Sequence, residues 1–99
     1  MLHSKERWLA MSTAEQLGNI GSEYSRIISA RKRNDQARFN SALMRYLELL
    51  DLTISDPRND FYRKRELLRL REHSCENFPE DLQKYFDQFA LLARAKKLQ

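Results

Sequence analysis

Only four residues of this 99-residue chain are backbone breakers: Gly18, Gly21, Pro57 and Pro79. Proline ends helices and glycine weakens them, so a chain this poor in both is committed to long helices. The two prolines follow Asp56 and Phe78, where a helix can begin, and the two glycines fall inside a helical pattern. No segment sustains the two-residue alternation of a half-buried strand. The expectation is an all-α fold, an antiparallel helical bundle of three long helices plus a fourth C-terminal helix. Residues 1–99 are read as a single domain, because so short a chain supports one core.

The first helix is predicted over 12–33. Ser12-Thr13-Ala14-Glu15 matches a capping box, and Leu17, Ile20, Tyr24, Ile27, Ile28 and Arg31 share one face at helical spacing. Residues 1–11 form an arm or an extension of that helix, with Trp8 and Leu9 tucked against a neighbour. Asn34 and Asp35 end the first helix and cap a second over 36–55, where Phe39, Leu43, Tyr46, Leu47, Leu50 and Ile54 make one stripe. A second stripe on the same helix, Ala42, Leu49 and Leu52, implies either a central place in the bundle or a subunit interface. The third helix is read over 57–76, starting at Pro57 with Asp56 as its N-cap or, alternatively, at Phe61. The fourth is read over 79–97, carrying Leu82, Tyr85, Phe86, Phe89, Leu92 and Ala93 on one face and closing on Lys96 and Lys97.

Three groups of residues stand out. Gly18, Gly21 and Ser25 belong to a line of small residues beside the apolar face of the first helix. Two glycines there cost about 1 kcal/mol each relative to alanine, so another backbone is expected to approach closely. That neighbour is another helix of the same chain, a second copy or a ligand. Glu23, Asp51 and Arg71 border apolar stripes and are expected to form ion pairs between helices, since carboxylate and guanidinium lock together in a bidentate fork. Leu49, Leu52, Tyr85, Phe86 and Phe89 are the expected contact surface of a homodimer.

Eighteen Lys and Arg against fourteen Asp and Glu leave a net charge of +4, which permits an anionic partner without requiring one. The third predicted helix is rich in bases (Arg58, Arg63, Lys64, Arg65, Arg69, Arg71), but Asp60, Glu66, Glu72 and Glu76 interleave them, and a mixed-charge solvated face ranks ahead of nucleic-acid binding there. Cys75 is the only cysteine, so no intrachain disulfide forms, and a cytoplasmic setting is expected. No apolar run approaches the ~20 residues that span a bilayer. His73 and Cys75 diverge around a helix, His3 stands near the terminus, and no second pair completes a zinc site, so no metal or cofactor is expected.

Arg69 and His73, with three residues between them, resemble the Arg-to-His motif of the HEPN superfamily, a group of helical-bundle ribonucleases and nucleotidyltransferase partners in which four to six residues separate the two. The resemblance implies metal-free RNA cleavage, with His73 as general acid or base and Arg69 steadying the phosphate. A second resemblance covers about residues 8 to 75. The run from Ala14 to Glu23, the run from Leu47 to Arg58 and Leu70-Arg71-Glu72 are similar to a family of small bacterial proteins of unknown function, which implies a bacterial cytoplasmic origin. The leading functional expectation is a small homodimeric interaction module, with a variant RNA-cleaving toxin component and nucleic-acid binding through the third helix as alternatives.

Overall fold

A computed structural model describes residues 5–97, with the side chains of 5–95. His3, the first residues of the N-terminal arm and the side chains of Lys96 and Lys97 lie outside the described residues. Five helices follow in order: α1 (Lys5–Leu9), α2 (Thr13–Lys32), α3 (Gln36–Ile54), α4 (Phe61–Cys75) and α5 (Leu82–Lys97). The fold is all-α, with no strand among the described residues.

The N-terminal arm resolves into a separate short helix instead of lengthening α2. Ser12 breaks the continuity: its hydroxyl accepts from the Glu15 amide at 3.1 Å while its own amide donates to the Glu15 carboxylate at 3.3 Å, the expected capping box. At the other end of α2, Asn34 takes a left-handed conformation (φ 56°), Asp35 N–H donates to Ala30 O at 2.9 Å and Asn34 N–H to Arg31 O at 3.1 Å. This pairing satisfies the last carbonyls and reverses the chain. Asp35 then caps α3 by accepting from the Arg38 amide at 3.1 Å.

The third long helix starts at Phe61, the later of the two expected starts, because Asp60 and not Asp56 is its cap, accepting from the Arg63 amide at 2.8 Å. Asp56 is instead drawn into the interior. The last helix also starts late, at Leu82, after a tight corner in which Asn77 (φ 133°) and Phe78 (φ 48°) both have positive φ. Such geometry is costly for a bulky side chain and persists only when held from outside. Here the Phe78 ring packs edge-on against Phe39 at 5.3 Å, Arg31 Nη1 donates to Asn77 O at 2.6 Å, and the Tyr24 hydroxyl donates to Pro79 O at 2.6 Å.

α2 is the sandwiched element, packed on α3 along one side and on α5 along another, while α4 packs on α3 and α1 rests against α3. The single core gathers Trp8, Leu17, Ile20, Tyr24, Ile27, Tyr46, Leu50, Leu67 and Phe86. Its centre is aromatic: the Tyr24 ring lies 5.4 Å from Tyr46 and 5.5 Å from Phe86. Burial pushes the Tyr24 phenol up to about 12, with Asp81 adding to the rise and Arg31 opposing it. Tyr46 is shifted upward by the same cause, with Ser74 of α4 opposing the rise.

Candidate functional site

The small-residue line on α2 is an intrachain crossing. A Cβ placed on Gly21 would stand 2.4 Å from Phe86 Cβ, and one on Gly18 would stand 3.2 Å from Ala90 Cα, so α5 fills the space that the missing side chains leave. Ser25 lies along the same seam with Gln83. Of the three neighbours left open by the sequence, the helix of the same chain is the one found.

Two of the residues expected at a homodimer surface are inside this chain. Phe86 is fully buried under α2 and Leu49 is 4 % exposed. Leu52, Tyr85 and Phe89 are half-buried and pack against the same core. The second stripe of α3 therefore marks a central helix. Tyr85 also turns its hydroxyl outward, donating to Glu66 Oε1 of α4 at 2.7 Å, and burial followed by that carboxylate holds its phenol above the usual range.

The expected ion-pair residues do join helices. Arg71 Nε of α4 donates to Asp51 Oδ1 of α3 at 2.9 Å, and this hydrogen bond to Asp51 favours the charged guanidinium. Glu23, buried on α2, is gripped twice, by Arg26 Nη1 of its own helix and by Arg45 Nε of α3 at 3.0 Å. A third cluster was not legible in advance. Asp56 is almost fully buried and accepts from the Arg58 side chain, the Arg58 amide at 2.9 Å and Gln16 Nε2 at 3.2 Å. The guanidinium of Arg58 is the main reason its carboxyl is held well below the ordinary range. The same network reaches α1: Gln16 Nε2 donates to Trp8 O at 2.8 Å, Trp8 Nε1 to Thr53 Oγ1 at 2.9 Å, and Arg58 Nη2 to Met11 O at 2.7 Å. Its role is to pin the N-terminal helix onto α3.

Among the described residues, α4 carries three exposed large apolar side chains. Leu67, Leu70 and Ser74 turn inward, and at ~100° per residue Phe61, Arg65, Leu68 and Glu72 lie together on the opposite side. Phe61 is 70 % exposed, its neighbour Tyr62 78 % and Leu68 49 %. Arg58, Arg63 and Arg71 are occupied by Asp56, Glu66 and Asp51, whereas Arg65, Arg69 and Glu72 make no ion pair with another described residue. Arg69 and His73 are both exposed, one turn apart, and His73 Nδ1 lies 3.8 Å from Glu76.

Neither Arg69 nor His73 lines any of four clefts formed among the described residues. The largest, about 780 Å³, lies beside the strained 77–78 corner, where Asp35 and Glu76 balance Arg31. A smaller groove of about 350 Å³ between α2 and α3 is unlike it, for its charged walls are all arginine: Arg26, Arg33, Arg38 and Arg45. Sequence reasoning missed this convergence, although a signal exists: Arg26 on α2 and Arg33 at its C-cap are seven residues apart, Arg38 and Arg45 seven apart on α3, and the Asn34-Asp35 turn folds one row onto the other. Among the described residues no cluster of His, Cys, Asp and Glu is arranged to hold a metal ion, and no helix is long and apolar enough to cross a membrane.

No family model, curated protein or solved structure matches this chain. Its function is read from the side-chain arrangement.

Proposed function

We propose that the chain is a small helical interaction module that acts as a homodimer, joined through the outer face of α4. The observation that carries this reading is the exposure of Phe61, Tyr62 and Leu68 on the side of α4 turned away from its own core. Three large apolar side chains on one short helix are a patch that association would cover. The charges around them are self-complementary. A two-fold axis crossing α4 between Leu68 and Arg69 sets Arg65 opposite Glu72 of the second copy, and Glu72 opposite its Arg65, as a symmetric interface requires. A cytoplasmic setting belongs to the same reading, supported by the free thiol of Cys75.

Light scattering of the full chain across micromolar concentrations tests the proposal. The expected result is a dimer that Leu68→Asp converts to a folded monomer. Arg65→Glu and Glu72→Arg should each weaken the dimer, and combining them should restore it. A wild-type chain that stays monomeric throughout overturns the reading. The ribonuclease alternative is favoured by one observation, the exposure of Arg69 and His73 one turn apart beside the proposed seam. It requires RNA cleavage that both Arg69→Ala and His73→Ala abolish.

A further inference from the structure

We propose that the groove between α2 and α3 is a binding site for a small phosphorylated ligand, one bearing a di- or triphosphate group. Four guanidinium groups line it and no carboxylate does. Crowding like charges is unfavourable unless something holds or neutralises them, and here a buried group holds two of them. Glu23, 7 % exposed, takes Arg26 through Nη1 and Arg45 through Nε, so one carboxylate fixes both guanidiniums across the helix junction. Arg45 keeps both terminal nitrogens, and Arg26 its Nε and second terminal nitrogen, for a further acceptor. Arg38 is shared with Asp35, whose carboxylate is already occupied by Arg38 Nε at 3.3 Å and the Arg38 amide. Arg33 has no acidic partner among the described residues.

The floor suits close approach. Ala30 and Ala42 are buried beneath the arginines, with Ser29 and Ser41 beside them, so no large side chain fills the space between the charged walls. Planar guanidinium forks match phosphate oxygens in pairs, which makes phosphate the anion this wall chemistry selects best. Dimensions choose the ligand class. Each arginine pair spans two helical turns, roughly 10 Å at 1.5 Å per residue, which is the reach of a short phosphate chain. Single-stranded nucleic acid is bound along tracks of roughly 4–16 nucleotides, usually with aromatic stacking surfaces, and no aromatic residue lines this groove.

The test is titration calorimetry of the full chain with pyrophosphate, free of divalent metal, at low and moderate salt. Saturable one-to-one binding that weakens with salt is expected. Arg33→Gln should weaken it about tenfold while leaving the thermal midpoint of the free protein unchanged, since Arg33 supports no pair within the fold. Arg45→Gln should weaken it further, but strands Glu23, so Arg33→Gln carries the decision. Arg69→Gln on α4 should bind like wild type. Absence of pyrophosphate binding at millimolar concentration overturns the proposal, as does binding indifferent to Arg33→Gln. A single-stranded oligonucleotide that binds more tightly than pyrophosphate and depends on Arg33 also overturns it, by assigning the groove to a nucleic-acid backbone.

Discussion

Gly21→Ala is the sharpest perturbation of this fold. The added methyl would lie 2.4 Å from Phe86 Cβ and 3.1 Å from its Cγ, short of ordinary carbon contact by more than ~1 Å. Phe86 cannot swing aside. It is fully buried and enclosed by Tyr24, Tyr46 and Tyr85 at ring distances of 5.5, 6.1 and 5.5 Å. Relief therefore requires α5 to move off α2, and such overpacking, with the backbone forced to shift, costs about 2–3 kcal/mol, the upper part of the usual range. Alanine returns about 1 kcal/mol of helix propensity, leaving a net loss of about 1–2 kcal/mol. For a domain near this size that lowers the melting midpoint by roughly 4–16 °C. Gly18→Ala is the internal control, because it gains the same propensity but meets Ala90 Cα at 3.2 Å, which a shift of a few tenths of an ångström relieves. It should leave stability within about 0.5 kcal/mol of wild type. Urea and thermal unfolding followed by circular dichroism measure both variants. If Gly21→Ala matches or exceeds the stability of Gly18→Ala, the close packing of α5 on α2 is refuted.

Asp56→Asn should destabilise the chain by about 1–3 kcal/mol at neutral pH, since it removes the anion that accepts from Arg58 and Gln16 in a buried site. The native carboxyl is held below its unfolded value, so its contribution is complete above ~4 and is lost as pH falls below that; unfolding at successive acidic pH values should show wild type and variant converging. Asp51→Ala breaks a pair whose members are 56 % and 38 % exposed, and the same urea assay should register at most about 1 kcal/mol. A loss of several kcal/mol there would mean that the pair orders α4 itself.

Much of the fold is legible in the chain. The capping box at Ser12, the Asn34-Asp35 reversal and the apolar periodicity of α2 and α3 are local signals, carried by residues within a turn of one another, and all three appear as read. The cap of α4 is the local signal that misleads, because two aspartates four residues apart compete for it. Asp60 wins since Asp56 is claimed by Arg58, Gln16 and, through them, α1. The candidate surface was misplaced for a related reason: apolar spacing reports that a side is covered without reporting by what. Phe86 and Leu49 looked available and are covered by α2 and the surrounding core.

What the sequence determined by itself is the helical class, the turn between α2 and α3, and the need for something to approach the glycines, because propensity, capping and periodicity act over a few residues. Which helix meets Gly21, which aromatic residues are left facing water, and the convergence of Arg26, Arg33, Arg38 and Arg45 on one groove emerge when the helices pack. Those outcomes depend on which helix faces which. Adjacency between distant segments is set by the whole core at once, through burial and steric fit, and no local stretch of the chain encodes it.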